Sequence, residues 1–373
     1  MNDKQLTFII KTSFDCNLAC SYCYEGDRTK GQRMTLETVD NLIEKAGEYA
    51  LSQDCIISFI WHGGEPLLMG KEFYEHVVEK QKELGSSFHY RNLMQSNGVL
   101  LDDEIADFIK KNDFKVGISI DGPRVIHDAQ RSLRNGQPSF DQAYAALVKL
   151  DDRGIQGGVL SVFTRNTLDH LDEFYDFFYD RHLSVCINTL IFSGYAADPI
   201  TEKLHVSLEE FGKAMCHLWD RWVNEKEDHF DIEPLSDIVE SLVTGHNRSC
   251  RFSGRCHEYF EVYPTGGIKL CGDLRPDSPF LGNINMDDMR SMMNSPAREA
   301  YRLIKAAVKE TCSDCRHFNI CHGGCTKSAY LQRKNLSDAD YYCEAFKMIF
   351  DHVKADTQNR LPSNMRFLLH DIN

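Results

Sequence analysis

Cys16, Cys20 and Cys23 stand in a C-x3-C-x2-C spacing within Cys16-Asn17-Leu18-Ala19-Cys20-Ser21-Tyr22-Cys23. Three thiolates this close can bind three irons of a cubane iron–sulfur cluster and leave the fourth iron without a protein ligand. Catalysis needs such an open metal position, whereas a closed site can only carry electrons or hold the fold. A zinc knuckle needs a fourth ligand, and no neighbouring His or Cys supplies one. The chemistry on offer is an iron–sulfur centre with room for a ligand on its unique iron.

Eight further cysteines lie between 250 and 343: Cys250, Cys256, Cys271, Cys312, Cys315, Cys321, Cys325 and Cys343. They make two sets of four, enough for two more cubane clusters; two zinc ribbons are the alternative. Cys256 and Cys271 bracket a β-hairpin expected at 260–263 and 268–270, turning at Pro264-Thr265-Gly266-Gly267. Fourteen cysteines in a reducing compartment point to metal rather than disulfides. Cys55, Cys186 and Cys216 sit in or near apolar runs and read as inert core thiols.

The elements that must position these residues alternate regularly. Strands are expected at 6–11, 56–61, 90–95, 116–120, 158–163 and 185–191, with helices at 35–51, 70–84, 102–112, 140–153 and 170–181. Thr35 and Ser139 read as helix N-caps. Such alternation means βαβ units and a parallel sheet, and six repeats suggest an α/β fold of partial (β/α)6-barrel type. Functional loops then gather at the C-terminal strand ends, where the three cysteines follow strand one and Gly63-Gly64-Glu65-Pro66 follows strand two. Gln95, Ser96 and Asn97 end strand three, and Ser119, Asp121 and Gly122 end strand four. Gly63 and Gly64 let backbone approach a ligand, with carbonyls able to accept from an ammonium group. His62 and His127 read as structural hydrogen-bonders. From 192 to 246 the chain turns helical and acidic, with the Trp219 and Trp222 stripe read as core.

At 373 residues, 42% hydrophobic and 26% charged, the chain has the composition of a globular enzyme with one large and one smaller domain. No apolar run reaches the roughly 18 residues of a membrane span, and the N-terminus lacks a signal peptide's apolar core, so a cytoplasmic location is expected. The net charge of −14 without a basic cluster argues against nucleic acid.

The cysteine spacing, the aromatic Tyr22 before its last member, and the Gly-Gly-Glu-Pro motif one strand later resemble the radical S-adenosylmethionine superfamily. That resemblance implies a 4Fe-4S cluster on Cys16, Cys20 and Cys23, with S-adenosylmethionine chelating the open iron. Cofactor contacts are implied at Tyr22, Gly63, Gly64, Glu65 and Pro66, and at Ser119 and Arg131 for the methionyl carboxylate. A 5′-deoxyadenosyl radical would then abstract a substrate hydrogen, using one electron from an external flavodoxin- or ferredoxin-like reductant. The C-terminal cysteines resemble the SPASM extension. It implies Cys250, Cys256, Cys271 and Cys325 on one auxiliary cluster and Cys312, Cys315, Cys321 and Cys343 on the other. The domains expected are 1–235, the core barrel with connecting helices, and 236–373, the extension with a helix after Cys343.

The overall layout is similar to the anaerobic sulfatase-maturating enzymes, which oxidise a Cys or Ser to formylglycine. Those enzymes carry an aspartate directly after the hairpin cysteine. Here that position is Gly272 and the aspartate follows as Asp273, the candidate base. A shift of one residue turns a strand side chain to the opposite face. The reading preferred on sequence is therefore a maturase of ribosomally made peptides that cross-links or oxidises a side chain. Sulfatase maturation is the alternative, as is a small-molecule dehydrogenase, though eight auxiliary cysteines favour a peptide. No winged-helix leader-binding domain is expected ahead of the first strand.

Overall fold

The computed structural model describes residues 4–26, 31–155, 157–225, 230–271 and 280–360. Gly272 and Asp273 lie outside them. Ten strands form among the described residues: β1 (Lys4–Ser13), β2 (Cys55–Gly63), β3 (Tyr90–Ser96), β4 (Lys115–Ser119), β5 (Val159–Phe163), β6 (Val185–Thr189), β7 (Ile232–Glu233), β8 (Tyr259–Val262), β9 (Gly267–Leu270) and β10 (Gly282–Asn283). The first six are those expected, and the fold is α/β with a parallel sheet core of partial-barrel type. No helix among the described residues is long and apolar enough to cross a membrane.

The chain divides into two compact units. The first comprises 1–120, 130–158 and 257–302. In it β1, β2, β3 and β4 pair in parallel in that order, with helices α1 (Leu36–Gln53), α2 (Lys71–Glu83) and α3 (Asp103–Lys111) as crossovers. Thr35 caps α1, its side chain accepting from the Thr38 N–H at 3.2 Å. Ser139 stands at the N-cap of helix Phe140–Asp152 as expected, but it makes no side-chain cap bond, and its buried hydroxyl donates to the Arg131 carbonyl at 2.7 Å. A buried hydroxyl takes the nearest acceptor, and here that is main chain from the preceding loop. The β8–β9 hairpin forms as expected and extends the sheet, since β8 pairs parallel with the other edge of β1. Phe8 is wholly buried between the two, 5.3 Å from Phe260 and 6.4 Å from Phe59 between ring centres.

The second unit comprises 121–129, 159–256 and 303–373. Here β5, β6 and β7 are parallel neighbours. β7 was not expected: two residues ahead of Pro234 show no periodicity, and their pairing with β6 makes them a strand. The C-terminal helix Cys343–Arg360 packs on helix Leu208–Asn224 through Phe346 and Phe211, 6.0 Å apart, and Asp356 Oδ2 accepts from Trp219 Nε1 at 3.1 Å. Trp219 is core, as read from sequence.

Asp237, in the first turn of helix Leu235–Thr244, is buried, and its Oδ2 has no hydrogen-bond partner among the described residues. Burial, with Glu233 and Glu240 adding, pushes its pKa up to about 7 against the pull of Arg248. Its folded pKa is raised above the unfolded value. Its contribution to stability therefore worsens as pH rises from about 4 to about 7 and is constant above that. Asp237→Asn is expected to raise Tm at pH 8, with the gain shrinking to nothing by pH 4 in scans across that range.

Candidate active site

The three N-terminal cysteines lie on the loop leaving β1, all in the first unit, and none is in a disulfide. Three neighbours hold that loop. The first is the Gly63-Gly64-Glu65 turn at the end of β2: the Gly64 N–H donates to the Ser13 carbonyl at 2.8 Å and the Glu65 N–H to the Asp15 carbonyl at 2.9 Å. Gly63 sits at φ +121°, and a Cβ on Gly64 would lie 2.0 Å from the Asp15 oxygen. Only glycines allow the two loops this close. The second is the segment 130–134. The Ala19 N–H donates to the Ser132 carbonyl at 2.8 Å, the Ser21 N–H to the Gln130 carbonyl at 2.9 Å, and Arg134 Nε to the Cys16 carbonyl at 2.5 Å. The third is β1 itself, whose buried Lys11 pairs with Glu25 just past Cys23.

Arg131 and Tyr22, assigned separately from sequence, are brought together: both are buried, and the guanidinium carbon lies 5.3 Å from the Tyr22 ring centre. Ser119, at the end of β4, is buried and accepts from Gln95 Nε2 at 3.0 Å. His62 Nδ1 accepts from the Gly63 N–H at 2.6 Å and His127 Nδ1 from the Asp121 N–H at 3.4 Å.

Glu65 is the least expected member. Its carboxylate is buried, with Oε1 accepting from Ser96 Oγ at 2.8 Å and the Leu67 N–H at 3.0 Å, and Oε2 from the Asn97 N–H at 2.8 Å. Burial pushes its pKa up to about 7, while the three donors oppose the rise. With both oxygens engaged by the protein, Glu65 acts as a strut that fixes the end of β3. Asn97, which sequence reasoning placed at a strand end without a role, is what the strut holds. Its Nδ2 donates to Asn17 Oδ1 at 2.7 Å and lies 3.7 Å from Cys16 Sγ. A lone asparagine has no spacing to mark it; only its strand-end position hinted at use. In Glu65→Gln the new amide NH2 faces one of the two main-chain N–H donors. The resulting mismatch, about 1–3 kcal/mol, should weaken S-adenosylmethionine binding roughly tenfold or more by calorimetry on the reconstituted chain.

The donor set fits an iron–sulfur cluster. Burial pushes the Cys16 thiol up to about 11, so unligated it is no ready nucleophile, and coordination to a metal would deprotonate it. Asn17 Nδ2 is buried without a partner among the described residues, a donor directed at the same loop. Among the described residues no three of Cys, His, Asp and Glu converge as a single-ion site would demand.

In the second unit Cys312, Cys315, Cys321 and Cys343 line one small cavity with Phe252 and Phe346, the set of four that the family resemblance implies. Burial pushes Cys321 up to about 12 and Cys343 to about 11. Cys250 belongs to an exposed residue, yet its sulfur is crowded by Cys325 and Cys256, and burial pushes it up to about 12. Cys271, at the end of β9, belongs to the first unit, its N–H donating to the Tyr259 carbonyl at 2.9 Å. Cys55 is buried, and burial likewise raises Cys186 and Cys216.

Residues 10–178 match the model of the radical SAM superfamily. A cysteine-type anaerobic sulfatase-maturating enzyme of Clostridium perfringens is 28% identical over 93% of this chain and 96% of its own length. A serine-type anaerobic sulfatase-maturating enzyme of Bacteroides thetaiotaomicron is 27% identical, covering 91% of this chain and 86% of its own. Among solved structures, native anSMEcpe with bound AdoMet and Cp18Cys peptide superposes with a TM-score of 0.84 at 26% identity, over 95% of this chain and 98% of that one.

Proposed function

We propose that this chain, whose residues 10–178 match the model of the radical SAM superfamily, is a maturase oxidising a Cys or Ser side chain of a peptide or protein to formylglycine. The observation that carries the reading is the pair of main-chain hydrogen bonds locking the Gly63-Gly64-Glu65 turn onto the loop that leads into Cys16. In this reading it brings a turn able to receive an ammonium group to the loop that carries the three thiols. The full-length likeness to cysteine- and serine-type sulfatase-maturating enzymes, and to a structure holding both AdoMet and a peptide, supports the substrate class. It moves the balance from cross-linking, preferred on sequence, to sulfatase-type maturation.

In this reading Cys16, Cys20 and Cys23 hold the cofactor-binding 4Fe-4S cluster. The Gly63 and Gly64 carbonyls, with the chain turned by Pro66, receive the amino group of S-adenosylmethionine, and Ser119 and Arg131 receive its carboxylate. Glu65 and Asn97 keep the loops in register, and Tyr22 holds the Arg131 guanidinium over its ring. When bound, S-adenosylmethionine supplies a carbon-centred radical that removes a hydrogen atom from the substrate side chain. Asp273 takes the proton released as that side chain is oxidised. Cys250, Cys256, Cys271 and Cys325 would hold one auxiliary 4Fe-4S cluster and Cys312, Cys315, Cys321 and Cys343 the other, and the pair would supply a route for the second electron. The proposed extension is 236–373 and the proposed core 1–235. An external flavodoxin- or ferredoxin-like protein is the one-electron reductant.

A second reading, side-chain cross-linking, is favoured by one feature: the acidic residue follows Cys271 by two positions rather than one. Peptides bearing a target Cys or Ser, incubated anaerobically with reduced chain and S-adenosylmethionine, discriminate by mass spectrometry. Formylglycine appears as an aldehyde trapped by a hydrazine reagent. Loss of hydrogen without a trappable aldehyde supports the cross-link instead, and unaltered peptides with no deoxyadenosine defeat both.

A further inference from the structure

Arg251 and Asp340 form a buried ion pair inside the second unit, among the auxiliary cysteines. Arg251 follows Cys250 directly. Its Nη1 donates to Asp340 Oδ2 and its Nη2 to Thr189 Oγ1 at 2.6 Å. Its guanidinium carbon lies 5.2 Å from the Phe346 ring centre and 5.9 Å from that of Tyr342.

Asp340 reaches both cysteine sets. Its Oδ2 also accepts the Cys325 N–H at 2.9 Å, and its Oδ1 accepts the Tyr342 N–H at 3.0 Å. Its carbonyl accepts the Cys343 N–H at 3.0 Å, and its N–H donates to the Gly323 carbonyl at 2.9 Å, two residues past Cys321. A Cβ on Gly324 would lie 2.5 Å from Asp340 Cβ, so glycine is needed for that approach. One aspartate thus ties together the main chain at Cys325 and Cys343, with a fixed cation beside Cys250.

Packing alone does not account for this pair. Two apolar side chains of similar volume would fill the space without taking two charges out of water. The carboxylate is met by main-chain N–H donors, while the guanidinium stays charged at any pH that the fold tolerates. Cluster potentials respond to local charge and hydrogen bonding around the sulfurs.

We propose that Arg251 is a positioning residue that sets the reduction potential of the auxiliary cluster held in part by Cys250, Cys256 and Cys325, its cation favouring the reduced state. Asp340 is its counter-charge and the brace joining that ligand loop to the second set. The proposal rests on the reading of these cysteines as cluster ligands.

The test uses the full chain, reconstituted without oxygen, with iron and sulfide counted per chain and midpoint potentials taken from EPR-monitored redox titration. In Arg251→Met the auxiliary signal should titrate at a more negative potential than wild type. In Asp340→Asn, which removes the counter-charge and leaves the cation, it should move positive. Arg251→Lys, which keeps the charge, should lie closer to wild type than Arg251→Met. Should Arg251→Met fail to load, Asp340→Asn decides alone: a positive shift supports the proposal, and an unmoved or negative one overturns it. Fully loaded variants with wild-type potentials mark a merely structural pair and overturn the proposal by itself. Wild type holding iron for only one cluster overturns the cluster reading, and the proposal with it.

Discussion

Cys20→Ala is expected to abolish deoxyadenosine release from S-adenosylmethionine, with or without peptide, and Cys16→Ala and Cys23→Ala to do the same. The loop offers three thiols, and its clamping by β1, by the Gly63-Gly64-Glu65 turn and by the 130–134 segment leaves no slack for another residue to take a lost position. A centre short of one thiolate loses both its cluster and its cofactor site. The measurement is deoxyadenosine by chromatography after dithionite reduction, alongside iron content. Wild-type iron with undiminished deoxyadenosine in Cys20→Ala would remove the N-terminal centre from the mechanism. The auxiliary cysteines should behave differently: loss of Cys321 lowers turnover or stability while leaving deoxyadenosine release without peptide in place.

The largest stability effect is expected at Lys11. Its ammonium is buried in β1 and donates to Glu25 Oε1 at 2.5 Å and Tyr24 Oη at 2.9 Å. Burial opposes the charge, but Glu25, Tyr24 and Glu261 outweigh it and hold the lysine pKa well above its ordinary value. Lys11→Met takes the Lys11 ammonium away from the buried Glu25 carboxylate, a cost of up to roughly 3–5 kcal/mol. That is a large part of the about 5–15 kcal/mol that holds a typical domain folded. Urea unfolding should show the drop, and the single variant should also lose iron at the first site, because Glu25 anchors the chain just past Cys23. The double variant Lys11→Met, Glu25→Leu should recover most of the stability, since it removes both charges together. A single variant as stable as wild type would show the pair to be solvated and without structural weight.

Much of the candidate site was legible from sequence because its signals are local. The C-x3-C-x2-C spacing lies on one loop, Gly63-Gly64-Glu65-Pro66 on one turn, and strand periodicity is a property of a few consecutive residues. β1 to β6 and the β8–β9 hairpin followed from that, whereas the grouping of Cys312, Cys315, Cys321 and Cys343, which line one cavity, came from the family resemblance rather than from spacing. β7 escaped because two residues have no period.

What the sequence determined by itself, then, is which residues could bind metal and which stretches are strands. What only the tertiary structure decided is how buried polar groups are partnered. Asn97 lies 81 residues from Cys16, and Asp340 lies 89 from Arg251. Ser139 carries a cap residue's signature but bonds the Arg131 carbonyl, and Glu65, in a ligand-binding motif, spends both oxygens on the protein. A buried donor or acceptor must find a partner among whatever the folded chain sets beside it. That neighbour is chosen by strand order and loop packing, which no local spacing encodes.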